Sequence, residues 1–315
     1  MDRLGCSFRR KPVPLIAGAG LSLILAPAFI SLATAQVIID NADGAPTCTL
    51  TGSWTLSDKA GQYGADVRFT NEDGATAVFT PDLPAAGMYR VEMWWPSQDM
   101  AFYAHKGDIR VNHAGGVTDV RIDQSDFGSR WMGVGYFPFA AGTSGSVTAR
   151  SIVGSGGGWK IVADAVRFST DSPTGMVFAA SSRDGSTAAY SETGAGGGLS
   201  WRDFSHDHRG TSLTGDSARF EFGTGPPLGT YEITLFRDGH YNANRIMRVW
   251  DGASQLSEFT LGSGGNTVLG SFTFAIGPVA VEMENAADDH MGVSSIELKL
   301  LALRLRSAGA ALVVR

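Results

Sequence analysis

Hydrophobic and polar positions alternate over short runs along most of this chain, and Gly, Pro, Asn and Asp interrupt the runs at close intervals. In residues 89–95 (YRVEMWW), side chains two apart would share one face of a strand, so Trp95 is predicted to face a core and Trp94 the solvent. No window sustains a helical period. The pattern therefore predicts an all-β fold of short strands and sandwiches rather than a parallel α/β fold.

Two stretches of the chain resemble each other. Residues 74–95 align with residues 215–236, and WMGVGYFPFAAG (131–142) aligns with NTVLGSFTFAIG (266–277). The spacing between the copies is about one domain length. We therefore predict two tandem jelly-roll-like β-sandwiches, and two such modules leave little chain for a separate catalytic domain.

The N-terminal residues have the features of a secretory signal peptide. Arg3, Arg9, Arg10 and Lys11 precede an apolar run from Val13 to about Leu32, and Ala33-Thr34-Ala35 follows as a small-x-small cleavage pattern. The alternative is an uncleaved membrane anchor, since the run is nearly long enough to span a bilayer. We predict cleavage before Gln36 and secretion to the extracellular space or periplasm, with no membrane insertion afterwards.

These observations set the expected domain boundaries. Residues 1–35 would be the signal peptide, residues 36–170 the first sandwich and residues 171–300 the second. Residues 301–315 would be a C-terminal tail or an extra strand, because the duplication does not account for them.

Charge and cysteine content exclude several classes of protein. The net charge is −6, and removal of the basic N-terminus would make the remainder more acidic, so nucleic acid is a poor candidate partner. Only Cys48 would remain in the mature chain, which excludes an intrachain disulfide and a thiolate metal cluster. We expect Cys48 to be a buried small side chain.

The first copy resembles a known family. The matching segments are IIDN (38–41), GSWTLSDKAGQYGAD (52–66), FTPDLPAAGMYRVEMWW (79–95), VNHAGGVTDVRIDQ (111–124), WMGVGYFPFAAGTSGSVTA (131–149) and VADAVRF (162–168). Residues 38–168 thus resemble the golvesin C-terminal-like domain, which is also found in xanthan lyases. The resemblance implies a jelly-roll-like accessory domain of secreted bacterial proteins and, more weakly, carbohydrate binding. The second copy resembles only galactose-binding-like jelly rolls in general.

Aromatic side chains are the candidate ligand-binding groups of the first copy. An outward-facing Trp94 beside charged residues could stack on a sugar ring, or a loop or the other domain could cover it. Trp54, Tyr63 and Trp131 lie in turn-rich stretches and are candidates for the same role, although their exposure cannot be read from the pattern. His113 is expected to be a hydrogen-bonded structural histidine, and Asp123 and Gln124 either fix a turn or contact a ligand.

Two polar loops are the candidates in the second copy. The loop RDGHYNANR (237–245) provides groups that could bind sugar hydroxyls, namely Asp238, His240, Tyr241, Asn242 and Asn244. Asp288 and Asp289 are candidate ligands for Ca²⁺, which prefers hard oxygen donors. The alternative for both loops is simple solvation of turn residues. No other cofactor is expected.

No catalytic residue is predicted. Gly215-Asp216-Ser217 resembles the opening of a serine-esterase motif, but an alternating run follows it, so Ser217 is expected to begin an ordinary strand. The favoured function is non-catalytic binding of polysaccharide or surface glycan, alone or beside a partner enzyme. The alternatives are a secreted hydrolase or lyase that uses Asp and His residues of the second copy, and a structural or adhesion protein with the sandwiches as spacers.

Overall fold

In the computed structural model, the described residues form an all-β fold with two short 3₁₀ turns. The structure describes residues 36–104, 107–125, 127–152, 159–170, 176–179, 190–194, 202–205, 208–222, 228–236, 245–262, 266–286, 291–293 and 295–303. The signal peptide predicted over residues 1–35 lies outside this part of the chain.

Twelve strands make up the first copy in the described residues. They are β1 (Gln36–Asp40), β2 (Cys48–Thr51), β3 (Thr55–Ser57), β4 (Val67–Thr70), β5 (Thr76–Phe79), β6 (Gly87–Trp94), β7 (Gly107–His113), β8 (Gly116–Ile122), β9 (Met132–Phe139), β10 (Ser146–Arg150), β11 (Ile161–Ala163) and β12 (Ala165–Ser169). Single 3₁₀ turns occupy Asn41–Asp43 and Met100–Phe102.

Twelve further strands make up the second copy in the described residues. They are β13 (Met176–Ala179), β14 (Tyr190–Thr193), β15 (Arg202–Ser205), β16 (His208–Thr211), β17 (Ser217–Glu221), β18 (Gly229–Phe236), β19 (Arg245–Asp251), β20 (Ser254–Leu261), β21 (Thr267–Phe274), β22 (Val279–Asn285), β23 (Met291–Val293) and β24 (Ser295–Leu303). The last strand thus continues through residues 301–303, and residues 304–315 lie outside the described chain.

The two copies have the same topology. In the first, the sheets have the orders β1-β12-β6-β9, β2-β5-β10-β7-β8 and β11-β4-β3; in the second, they are β13-β24-β18-β21, β14-β17-β22-β19-β20 and β15-β16-β23. Adding twelve to each strand number of the first copy gives the second throughout. The prediction of two tandem all-β sandwiches is therefore confirmed, and the repeat seen in the sequence is a repeat of the complete strand order.

Each copy has its own hydrophobic core. Val91, Met93 and Trp95 belong to the first core together with Phe168 of β12. Ile233, Leu235 and other alternate residues of β18 occupy the corresponding core of the second copy. The alternation in residues 89–95 is confirmed at Trp95, which is 1% exposed. Burial of these alternate apolar side chains is the main favourable contribution to folding.

A bulge occurs at the same place in both copies. The pairing of β6 with β9 shifts register between Val91 and Glu92, and the pairing of β18 with β21 shifts between Ile233 and Thr234. A bulge bends a strand and increases its twist. Its recurrence indicates that the curvature of the four-stranded sheet is a property of the repeat.

The two copies pack against each other along β9 and β13. A Cβ atom added to Gly133 would lie 2.8 Å from Phe178 Cε1 and 2.9 Å from Met176 Cε. Tyr136 of β9 belongs to the second core rather than the first. Gly133 therefore lets β9 approach the second sandwich closely.

Several polar residues discussed above make contacts within the fold. His113 bonds Thr118 Oγ1 through Nε2 at 2.9 Å and accepts from Gly115 N through Nδ1 at 3.1 Å. Gln124 is buried and exchanges two hydrogen bonds with the backbone of Val162. Ser217 begins β17, as expected of a strand residue.

Cys48 is also buried as expected. Its side chain lies in the first core, and burial raises the pKa of the thiol to about 12. A thiol held in its neutral form is a poor nucleophile and metal ligand at neutral pH.

Candidate functional site

Three of the four aromatic residues predicted as ligand-binding groups in the first copy meet in one cluster. Trp94 ends β6, Trp131 directly precedes β9, and Tyr63 lies between β3 and β4. The ring centroids are 5.9 Å apart for Tyr63 and Trp94, 5.3 Å for Tyr63 and Trp131, and 5.4 Å for Trp94 and Trp131. All three side chains are half-buried. We call Tyr63, Trp94 and Trp131 the aromatic cluster.

The loop that carries Tyr63 also holds Trp94. Trp94 Nε1 donates to the carbonyl oxygen of Gly61 at 2.9 Å. Gly61 has φ +82°, a conformation that favours glycine, and an added Cβ would lie 1.8 Å from Ser129 Oγ. The loop thus covers one edge of the half-buried Trp94, and its role as a stacking platform for a sugar stays a prediction.

A buried ion cluster lies beside the aromatic cluster. Arg167 of β12 is opposite Glu92 of β6 and donates to Glu92 Oε2 from Nε at 2.8 Å and from Nη2 at 2.7 Å. Arg90 Nη2 donates to Glu92 Oε1 at 2.9 Å. The Glu92 side chain is only 1% exposed, and two guanidinium groups compensate the charge of this buried carboxylate.

Arg167 connects the two clusters. Its guanidinium carbon is 4.5 Å from the ring centroid of Trp131, within the range of a cation–π contact. Among the described residues, none accepts a hydrogen bond from Arg167 Nη1. Arg167 therefore packs on Trp131 while two of its nitrogens contact Glu92.

A buried carboxyl group supports Tyr63 from below. Asp164, fully buried, accepts from the backbone N–H of Tyr63 at 3.2 Å through both carboxyl oxygens. Burial, and to a smaller extent the nearby Asp40 and Asp66, raise the pKa of Asp164 to about 8. Asp164 is therefore protonated at neutral pH, and its carboxyl can hold the Tyr63 loop without placing a charge in the interior.

Of the remaining predicted site residues, Trp54 is the one that the structure describes. Trp54 packs against the first core and donates from Nε1 to Thr51 O at 3.0 Å, so it is not part of the cluster. The second-copy residues predicted to bind sugar or metal lie outside the described residues: Asp238, His240, Tyr241, Asn242, Asn244, Asp288 and Asp289. In the described part of the chain, no group of three His, Cys, Asp or Glu residues could hold a metal ion.

Three residues of the site were not predicted from the sequence: Glu92, Asp164 and Arg167. Alternation placed Glu92 on the same face of the strand as Trp94, but it did not predict which side chain pairs with the Glu92 carboxylate. The partner, Arg167, comes from a strand 75 residues away. Only the strand order of the sheet brings the two together.

At the described positions that match Trp94, Glu92, Arg167 and Trp131, the second copy has other residue types. The strand pairing of the two copies can be matched residue by residue. Phe236 takes the place of Trp94, and Thr234 takes the place of Glu92. Glu297 takes the place of Arg167, and Asn266 takes the place of Trp131. Neither the indole pair nor the guanidinium is retained. The aromatic cluster is therefore not required by the sandwich itself.

Sequence comparison identifies the first copy. A family model, the Golvesin C-terminal domain, matches residues 37–170. Residues 37–170 are therefore similar to this domain. This confirms the resemblance drawn from residues 38–168. The chain is also 42% identical over 140 residues to a xanthan lyase of Bacillus sp. (strain GL1), a match that covers 42% of this chain and 14% of that protein.

Among solved structures, similarity is weaker. A Paenibacillus xanthan lyase aligns with 80% of this chain and 25% of its own at 17% identity and a TM-score of 0.35. The tandem CBM22-1–CBM22-2 domain of Paenibacillus barcinonensis Xyn10C aligns with 84% of this chain and 96% of its own at 11% identity and a TM-score of 0.27. With TM-scores below 0.5, neither likeness carries an argument about function. In the described residues, no helix is long and apolar enough to cross a membrane.

Proposed function

We propose that this protein is secreted and binds polysaccharide or surface glycan through the aromatic cluster of its Golvesin C-terminal domain, without catalysis of its own. The observation that carries the proposal is the meeting of Trp94, Trp131 and Tyr63 beside the Arg167 guanidinium. Secretion rests on the signal-peptide pattern of residues 1–35.

The chemistry of the cluster suits a sugar ring. A pyranose has an apolar face of C–H groups that packs on an indole, and equatorial hydroxyls that need hydrogen-bond partners at the ring edge. Arg167 Nη1 supplies donors at that edge, and Glu92 holds the guanidinium in place through two bonds. A site fixed before the ligand arrives loses less conformational entropy on binding.

The sequence relative supports the same class of ligand. The matched segment of the xanthan lyase covers 14% of that enzyme, so the likeness concerns a small part of a protein whose name indicates action on a polysaccharide. A binding module beside an enzyme raises the local concentration of substrate. A partner enzyme is therefore part of the proposal, and the second copy's polar loops remain additional candidate contacts.

The test is affinity electrophoresis of residues 36–315 in gels that contain xanthan, alginate, hydroxyethyl cellulose or xyloglucan. Trp94→Ala and Trp131→Ala are each expected to weaken retardation about fivefold or more, because each removes a stacking surface. The matched control is Trp54→Ala, which removes an indole outside the aromatic cluster.

Two results would refute the proposal. One is full retardation of a folded Trp94→Ala/Trp131→Ala double variant. The other is an absence of retardation of the unaltered protein across these polymers and a wider glycan array.

A further inference from the structure

We infer that the second copy carries its own glycan-binding surface on a different sheet, centred on Trp250 of β19, and that this surface takes a neutral polysaccharide chain. The choice of a glycan as ligand rests on the function proposed above. The surface itself is argued from the described residues of the second copy, none of which belongs to the aromatic cluster. We call it the Trp250 face.

Polar side chains form a continuous row across the five-stranded sheet next to Trp250. Backbone pairing aligns one residue from each strand in the order Ser191, Arg219, Glu282, Arg248 and Glu258. Because paired residues of neighbouring strands point to the same side, these five side chains share one face. Trp250 lies two residues beyond Arg248 on β19 and therefore belongs to that face.

Ion pairs hold this row in place. Arg248 Nη1 bonds Glu282 Oε1 at 2.9 Å and Glu284 Oε2 at 2.6 Å, and Arg248 Nε bonds Glu258 Oε2 at 2.8 Å. Arg219 Nη1 bonds the other oxygen of Glu282 at 3.2 Å. The side chains are thus ordered, while Glu258 is half-exposed and can still accept from a ligand hydroxyl.

Trp250 is half-buried on this face. Its pairing partner on β22 is Ala280, whose methyl group leaves space for the indole to extend towards β17. On that side the Arg219 guanidinium carbon is 5.7 Å from the Trp250 ring centroid. A guanidinium beside an indole on a sheet face offers stacking and hydrogen bonding together.

The indole of Trp250 is not tied to the protein as that of Trp94 is. Trp250 Nε1 is buried and has no hydrogen-bond partner among the described residues, whereas Trp94 Nε1 donates to Gly61 O. A buried donor without a partner costs free energy. A rotation of the ring that presents this N–H to a sugar hydroxyl would recover that cost on binding.

The two copies share the cross-strand ion pair of this face but not the tryptophan. Arg110 pairs with Asp119 at 2.8 Å in the first copy, at the positions of Arg248 and Glu258 in the second. The cross-strand ion pair is therefore common to the repeat. Register places Asn112 where the second copy has Trp250, so the sandwich does not require an indole there.

The charges of the face indicate a neutral ligand. Arg219 and Arg248 are surrounded by four carboxylates: Glu221, Glu258, Glu282 and Glu284. The excess of negative charge would repel a polyanion. Alternating donors and acceptors suit the hydroxyls of an uncharged sugar chain instead.

The test uses residues 36–315 and isothermal titration with two uncharged polymers, xyloglucan and hydroxyethyl cellulose, and the anionic carboxymethyl cellulose. Trp250→Ala is expected to weaken binding to at least one uncharged polymer about fivefold or more, and Trp250→Phe by less, since phenylalanine retains a smaller stacking face. The matched control is Asn112→Ala at the equivalent position of the first copy. Trp94→Ala, measured alone and with Trp250→Ala, separates this face from the aromatic cluster.

The outcomes distinguish the two proposals. If Trp250→Ala weakens polymer binding and Trp94→Ala does not, the Trp250 face is supported and the aromatic cluster is refuted as a binding site. If only Trp94→Ala weakens binding, the aromatic cluster is supported and the Trp250 face is refuted. If Trp250→Ala does not fold, the protein is labelled with 5-fluorotryptophan instead, and Trp250→Phe assigns the fluorine resonance of Trp250. A resonance that does not shift at saturating polymer overturns the inference. Conversion of a dimer to a monomer by Trp250→Ala, with unchanged polymer binding, also overturns it, because the face would then be a contact between copies of the chain.

Discussion

The guanidinium of Arg167 lies 4.5 Å from the ring of Trp131 while two of its nitrogens bond the buried carboxylate of Glu92. One side chain thus joins the interior of the four-stranded sheet to the aromatic cluster at its surface. The bonds to Glu92 restrict the rotamers of Arg167. The position of the proposed sugar-binding group therefore depends on a buried ion cluster, and the first prediction follows from that dependence.

Replacement of Glu92 by glutamine is expected to destabilise the first copy strongly. The substitution removes the carboxylate that Arg167 Nε and Nη2 contact, at a site where Glu92 is 1% exposed, and breaking a buried pair of this kind costs about 3–5 kcal/mol. Urea denaturation of Glu92→Gln measures the loss. Glu232→Gln is the control, because Glu232 stands at the position of Arg90 in the second copy and faces Lys299 at 3.5 Å while partly exposed.

The control is expected to change the free energy of unfolding by no more than about 1 kcal/mol. Equal losses for the two variants would contradict the distinction between a buried and a surface ion pair. A stable Glu92→Gln protein with unchanged glycan binding would show that Arg167 does not depend on Glu92.

Alanine at Gly61 is expected to displace the loop that fixes Trp94. The positive φ of Gly61 alone costs a non-glycine residue about 1–2 kcal/mol. The added methyl group would also lie 1.8 Å from Ser129 Oγ and 2.7 Å from Ser97 Oγ, which forces the loop away and removes the acceptor of Trp94 Nε1. Tryptophan fluorescence and glycan titration should both change.

Gly74→Ala isolates the backbone contribution. Gly74 has φ +79° and no atom within 4 Å of a built Cβ, so the conformational cost remains while the collision is absent. We expect Gly74→Ala to lower stability without affecting glycan affinity. If both variants bind glycan like the unaltered protein, the path of the 58–66 loop is not important for the site.

Local alternation was sufficient to predict part of this site. It placed Trp95 in the core and Trp94 on the outer face because the two-residue period of a strand is a property of neighbouring residues. The repeat of the sequence likewise predicted two sandwiches, since both copies keep the same spacing of strand patterns. These inferences need no knowledge of which strands are adjacent.

Contacts between distant strands could not be predicted in that way. The bond between Arg167 and Glu92 exists because β12 lies next to β6, and the support of Tyr63 by Asp164 joins residues 101 positions apart. Alternation assigns a face to a residue but not a neighbour. Tyr63 was therefore a candidate on composition alone, and its meeting with Trp94 and Trp131 required the folded loop.

Asp251 is expected to be a stability determinant of the second copy. Its carboxylate accepts from the backbone N–H groups of Ala275 at 2.7 Å and Gly277 at 2.6 Å, and hydrogen bonds to a charged acceptor contribute roughly 1.5–3 kcal/mol each. Asp251→Ala should lower the thermal midpoint of the second copy, measured by calorimetry. The exposed Asp58→Ala serves as the control, and a midpoint shift of equal size in both variants would contradict the role of Asp251.

The buried Asp164 should make the stability of the first copy depend on pH. In the unfolded chain Asp164 ionises above its ordinary pKa of 3.8, whereas in the fold burial keeps it protonated until about pH 8. Between these values the folded protein binds one more proton than the unfolded chain, so the free energy of unfolding should fall as pH rises from about 4 to about 8 and then level off. Asp164→Asn should remove this slope, because the amide is neutral and its oxygen can still accept from Tyr63 N. Urea denaturation at pH 5, 7 and 9 measures the effect, and the exposed Asp82→Asn is the control. If the free energy of unfolding has the same slope against pH in Asp164→Asn as in the control, Asp164 is ionised in the folded protein.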